Sequence, residues 1–79
     1  MEKDQMQQQQ KWITCMVYPG MFSDELVVEI NDRSFFVSRD AVRKRQGDRG
    51  EILVTVVEAD GKEWAVVPTS TSETVPLGA

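Results

Sequence analysis

The chain lacks histidine altogether and has a single cysteine, Cys15. Without histidine it has no side chain whose ordinary pKa lies near neutral pH, and Ser-His-Asp or Cys-His catalysis is excluded. A single cysteine excludes an internal disulfide and a cysteine-rich zinc site. Cys15 lies in an apolar run, so we expect a buried, unreactive thiol. We expect a protein that is not an enzyme and that uses no cofactor or metal.

The chain also has no excess of basic residues and no long apolar run. The 79 residues carry a formal net charge of −4, which argues against a globally basic nucleic-acid-binding protein. No apolar run is long enough to cross a bilayer, and Met1–Gln10 lacks the apolar region of a signal peptide. The sequence therefore predicts one small soluble domain in the cytoplasm, with no membrane partner.

The clearest structural signal lies between Glu51 and Pro68. Asp60-Gly61 separates two runs of β-branched and aromatic residues, which is typical of a hairpin with a type I′ turn. Pairing outward from Ala59 and Lys62 gives two apolar faces. One face carries Ile52, Val54, Val56, Ala65 and Val67, and the other carries Leu53, Thr55, Val57, Trp64 and Val66. A hairpin with one solvated face alternates apolar and polar residues, so we expect the second face to be covered within a barrel or to contact another chain.

Two earlier segments also have strand patterns. Lys11–Tyr18 predicts a leading strand, and Glu25–Arg39 predicts a hairpin whose loop is Asp32-Arg33. Phe36 is expected on the outer face of that hairpin. The predicted core consists of Ile13, Val17, Leu26, Val28, Ile30, Phe35, Val37, Ile52, Val54, Val56, Ala65 and Val67.

The segment Ser38–Gln46 predicts a short helix, with Ser38 as its N-cap and Gly47 after its end. Residues 1–10 are expected to form a disordered Gln-rich tail and residues 69–79 a flexible Ser/Thr-rich tail, with a short edge strand at 74–77 as the lesser alternative. The domain then spans residues 11–68. We expect a mostly β fold, a small five-stranded SH3-like or OB-like half-barrel of hairpins with one short helix.

Two sets of residues are candidates for contacts with partners. The apolar set predicts a small non-catalytic protein-interaction module, whose partner is an unknown protein or a second copy of the chain. Its members are Phe36, Val57, Trp64 and Val66, with Met21 and Phe22 after Pro19-Gly20. The basic set predicts, as the alternative function, contacts with an anion or nucleic acid. Its members are Arg39, Arg43, Lys44, Arg45 and Arg49.

A hairpin, a short basic helix and a second hairpin ending in proline loosely resemble the AbrB/MazE-type swapped-hairpin domains. The resemblance covers Val27–Pro68 and is carried by Arg33-Ser-Phe-Phe-Val-Ser and Asp40-Ala-Val-Arg-Lys-Arg. It implies a dimer of interlocked hairpins in which Arg33, Arg43 and Arg45 contact DNA. The chain lacks the Ile-Pro that precedes the helix in that family, and it has an additional N-terminal strand. A swapped-hairpin β dimer is thus the alternative fold.

Overall fold

The structure is a computed structural model that describes residues 8–77. These residues form seven β-strands rather than the five predicted. The strands are β1 (Gln8–Pro19), β2 (Glu25–Ile30), β3 (Arg33–Ser38), β4 (Val42–Gln46), β5 (Arg49–Ala59), β6 (Lys62–Val67) and β7 (Glu73–Pro76). They pair in one antiparallel sheet in the order β3-β2-β1-β5-β6-β7, and β4 also pairs with β5. The fold is mostly β, as predicted, and the sheet is an open, curled half-barrel.

The two longest strands, β1 and β5, organise this sheet. β1 pairs with β5 from Gln8 to Met16 and with β2 from Met16 to Pro19. On the side opposite β1, β5 pairs first with β4 and then with β6. Because both strands change neighbours along their length, the pairs are staggered, and a staggered, twisted sheet curls toward a barrel.

The core fills the concave face of the half-barrel. Its buried residues are Cys15, Val17, Leu26, Val28, Ile30, Phe35, Val37, Ile52, Val54, Val56, Ala65, Val67 and Val75. Every predicted core residue is among them except Ile13, which is half-buried and packs against the cluster. The period of two along each strand therefore predicts the inner face correctly.

Both long hairpins close with two-residue turns in which both central residues have positive φ. The β5–β6 turn has Asp60 at φ 55° and Gly61 at φ 74°, which confirms the predicted type I′ turn. The β2–β3 turn is Asn31-Asp32, at φ 50° and 66°, and not Asp32-Arg33 as predicted. Asparagine and aspartate tolerate this conformation better than arginine does. The correction moves the pairing by two residues, so the faces are unchanged and Phe36 still points outward.

The predicted helix over Ser38–Gln46 is wrong. The Ser38 hydroxyl accepts a hydrogen bond from the Asp40 N–H at 3.3 Å, but it caps only a single 3-10 turn, Arg39–Ala41. The chain then continues as β4, in which Val42 lies opposite Ile52. Pairing with β5 outweighs the weak helical tendency of so short a segment. The residues described by the structure thus lack the helix on which the AbrB/MazE-type arrangement depends.

The polar segments that flank the expected domain, residues 11–68, contribute further strand residues on both sides. Gln8–Gln10 extend β1 along β5, and Glu73–Pro76 form β7 along β6. Val75, the middle of a Thr-rich segment, is fully buried. The expected tail is therefore wrong for residues 73–76, where the alternative edge strand is closer to the structure. Residues 1–7 and 78–79 of the expected tails lie outside the described residues.

Side chains rather than a backbone ladder bridge the gap between β3 and β7. The Arg33 Nη1 donates to the carbonyl oxygen of Thr74 at 3.0 Å, and the Asn31 Nδ2 donates to that of Pro76 at 2.7 Å. Arg33 also forms an ion pair with Glu73 at 3.2 Å. We call this set of contacts the β3–β7 bridge.

Replacing Val75 with alanine should lower the free energy of unfolding by about 1–3 kcal/mol, because it removes apolar volume from a fully buried site. Urea denaturation would measure the change. The exposed neighbour provides the control: Thr74→Ala should change the stability by less than about 0.5 kcal/mol. An unchanged midpoint for Val75→Ala would contradict the docking of β7.

Candidate protein-contact site

The outer face of β5, β6 and β7 carries a groove of about 340 Å³. In the sheet, Val57 lies opposite Trp64, and Trp64 lies opposite Pro76 on its other side. The groove is lined by Val57, Ala59, Trp64, Val66 and Thr74. We call it the Trp64 groove.

The register of the β5–β6 hairpin dictates this arrangement. Side chains alternate between the faces of a strand, so filling the core with Val56 and Ala65 sends Val57 and Trp64 outward. All seven strands belong to one sheet. Within residues 8–77, therefore, no second layer lies over the outer face, and the apolar residues of the Trp64 groove are half-buried.

The other predicted apolar contacts lie elsewhere. Phe36 is 57% exposed on the outer face of β3 and lies opposite Val27. Met21 and Phe22, at 84% and 67% exposed, occupy the loop between β1 and β2. None of the three lines the Trp64 groove. The structure thus brings Val57, Trp64 and Val66 together but separates them from the remaining candidates.

Phe36 instead borders a cleft of about 520 Å³ between β3 and the loop that follows β6. The cleft is lined by Asp24, Glu25, Phe36, Val37, Ser38, Pro68, Thr69 and Ser70. Its polar groups are hydroxyls and carboxylates, and no basic side chain lies among them. This lining offers hydrogen bonds to a ligand but no obvious site for an anion.

The structure divides the basic set. The Arg39 Nε donates to the carbonyl oxygen of Ser23 at 2.9 Å. The Arg43 Nε forms an ion pair with Glu51 at 2.8 Å, and its guanidinium lies 4.1 Å from the centre of the Trp12 ring. Arg39 and Arg43 therefore already have partners within the chain. The sequence gives no local signal for the stacking of Arg43 on Trp12, because β5 separates the two strands that carry them.

The remaining basic residues are exposed around the β4–β5 hairpin. They are Lys44, Arg45 and Arg49. Lys44 has φ 54° and lies where the β4–β5 register shifts, which indicates a β-bulge. The bulge interrupts the regular pairing of β4 with β5 and bends the strand that carries Lys44 and Arg45.

Cys15 is buried, at 6% exposed, and lies opposite Gly50 of β5. Burial, and to a smaller extent the nearby Glu51 carboxylate, raises the pKa of its thiol from 9.0 to about 11. A thiol that stays protonated at neutral pH is a poor nucleophile. The arrangement gives Cys15 a packing role.

Among residues 8–77, no three histidine, cysteine, aspartate or glutamate side chains are grouped so that they could bind a metal ion. The same residues contain no helix with the length and apolar character needed to span a membrane. No protein-family model, curated protein or solved structure matches the chain.

Cys15 should react with iodoacetamide near pH 8 roughly a hundredfold more slowly in the folded chain than in urea, because a pKa of about 11 leaves far less thiolate than 9.0. Mass spectrometry would follow the labelling. Equal rates would contradict the buried placement of the thiol.

The same shift makes stability depend on pH. The unfolded thiol ionises near its ordinary pKa of 9.0, whereas the folded thiol holds its proton to about 11, so the free energy of unfolding should fall as the pH rises between these values. Cys15→Ala should lose this part of the dependence. Urea denaturation of both proteins at each pH isolates the contribution of Cys15 as the difference between them.

Proposed function

We propose that this protein is a non-catalytic protein-interaction module that binds another protein through the Trp64 groove. The observation that carries the proposal is an aromatic and β-branched surface that no other described element covers. Contiguous apolar surface of this kind is typical of protein contact sites.

Trp64 is the residue best suited to dominate binding. Tryptophan is enriched among residues whose truncation costs most of the affinity of an interface. Here Val57 and Pro76 flank it on neighbouring strands, and the side chain is already half-buried in the free chain. Little rotamer freedom is therefore lost when a partner binds.

The charges near the groove favour a particular kind of partner. Lys62 lies opposite Ala59, which lines the groove, so its side chain is on the same face of the hairpin as Trp64. Glu58 and Glu63 alternate to the opposite face, the face of Val56 and Ala65. A carboxylate of a partner can therefore pair with Lys62 beside the groove, and we propose a partner that presents apolar side chains flanked by aspartate or glutamate.

Replacing Trp64 with serine should weaken binding of such a partner roughly thirtyfold or more, because the truncation removes the central contact. Partners captured with the tagged chain would be purified, and their affinity measured directly.

In a Trp12→Phe background Trp64 is the only tryptophan, and its fluorescence should shift to shorter wavelengths on binding as water leaves the ring.

Phe36→Ser provides the matched control, since it truncates an exposed aromatic residue on the same face of the sheet but outside the groove. It should leave the affinity within about threefold of the original. If Trp64→Ser unfolds the chain, Trp64 is a core residue, and equal affinities for the two variants would refute the role of the groove.

Nucleic-acid binding is the second candidate function, supported by the exposed cations Lys44, Arg45 and Arg49 on one hairpin. It predicts that affinity for a duplex DNA oligonucleotide falls steeply with salt and disappears when Lys44 and Arg45 become glutamate. Arg43 is a poor choice for this test because of its contacts with Glu51 and Trp12. A flat salt response would rule out this function.

We further propose that the half-barrel is of the SH3-like or OB-like type and that the protein acts in the cytoplasm. The small, curled antiparallel sheet supports the first of these.

A further inference from the structure

Among the residues that the structure describes, one long edge of the sheet has no neighbouring strand. β1 has strand partners on both sides only at Met16, where the pairing with β5 ends and the pairing with β2 begins. Gln8–Thr14 pair with β5 on one side, and on the other side no strand of residues 8–77 pairs with them. The side chains of Gln8 to Lys11 are all exposed. We call this stretch the β1 edge.

The hydrogen-bond pattern identifies which backbone groups the β1 edge presents. The Val17 N–H donates to the carbonyl oxygen of Asp48 at 2.8 Å, in register with the β1–β5 pairing. Bonding residues alternate along an antiparallel strand, so the odd-numbered residues of β1 bond to β5. The N–H and C=O groups of Gln8, Gln10 and Trp12 therefore point away from the sheet.

The edges of β7 and β4 are protected against pairing. β7 has four residues, its Pro76 lacks an N–H, and the β3–β7 bridge occupies two of its carbonyl oxygens. β4 is interrupted by the bulge at Lys44 and is rich in charge. Short length, proline, bulges and charge are the usual means by which proteins prevent edge pairing. Of these protective features, the β1 edge has only one charged residue, Lys11.

We propose that the β1 edge pairs with the β1 edge of a second copy of this chain, so that two half-barrels join into one continuous antiparallel sheet. A two-fold axis beside Gln10 places this residue opposite Gln10 of the second copy, and Lys11 opposite Gln9. Moving the register by one step, with Gln10 opposite Trp12, places the two lysines opposite each other. Opposed like charges are destabilising, which favours the first register.

A second copy suits this edge better than an unrelated strand. A two-fold interface must be complementary to itself. The glutamine amide meets that requirement, because it carries both hydrogen-bond donors and an acceptor. The edge has a single charge, Lys11, and the chosen register keeps that charge away from its copy. The pairing goes beyond the proposed function and does not rest on it, since it leaves the Trp64 groove open on each copy.

Light scattering of the full chain over a dilution series should show a dimer. Gln10→Lys and Gln10→Glu should each raise the dimer dissociation constant roughly fivefold, because each places like charges at the two-fold axis. Mixing the two variants should restore association as a heterodimer, since lysine then faces glutamate. Native mass spectrometry with one variant uniformly labelled with ¹⁵N would resolve the three dimer species, because lysine and glutamate residues have nearly the same mass without the label.

The register with Lys11 opposite Gln9 of the second copy also predicts the effect of changes at Gln9. Gln9→Glu should tighten the dimer, because each new carboxylate faces Lys11 of the other copy, and Gln9→Lys should weaken it. Ser34→Lys is the matched control for Gln9→Lys, because it also introduces a lysine, at an exposed position on β3 opposite Glu29. It should leave the dissociation constant unchanged.

Gln10→Pro tests the backbone directly, because it removes an N–H from the β1 edge without removing a bond to β5. It should abolish the dimer while circular dichroism shows the sheet intact.

A monomeric wild-type chain, or a dimer unaffected by every Gln10 variant, would overturn the proposal. So would a dimer dissociated by Trp64→Ser alone, since the copies would then meet through the groove. Loss of partner binding in Trp64→Ser with the dimer intact would separate the two surfaces.

Discussion

The antiparallel pairing of β1 with β5 is the interaction on which the rest of the structure depends. It joins the hairpin of β2 and β3 to that of β5 and β6, and β4 also attaches to it. Its close approach requires Gly50, where a Cβ atom would lie 3.0 Å from the Val17 Cγ2 and 3.3 Å from the carbonyl oxygen of Arg43. A glycine at a point of close backbone contact is a common feature of strongly curled sheets.

Local patterns in the sequence predict those parts of the fold that depend on neighbours close in the chain. The alternation along β2, β5 and β6 predicts the inner face, and Asp60-Gly61 predicts both a turn and a register. Even the misplaced β2–β3 turn leaves the faces correct, because it displaces the pairing by an even number of residues. The grouping of Val57, Trp64 and Val66 follows from the same register.

The elements that the sequence does not predict depend on strands far away in the chain. The glutamines of Gln8–Gln10 have little strand preference of their own and extend β1 because β5 continues beside them. β4 replaces a helix, and β7 replaces a tail, because β5 and β6 offer unpaired backbone at those points. The stacking of Arg43 on Trp12 arises in the same way, from two strands that meet across β5.

The strands of the half-barrel are joined less strongly at the β3–β7 bridge than elsewhere. Elsewhere the strands are joined by backbone ladders, but here an exposed arginine and an exposed asparagine connect them. Surface contacts of this kind contribute little and weaken with salt. Opening at this seam exposes the concave interior while the β1–β5 ladder persists, so the molecule has a low-energy route for local unfolding that begins at β7. Amides of β7 then exchange with solvent through this partial opening, and those at the centre of β5 exchange only when the whole sheet unfolds.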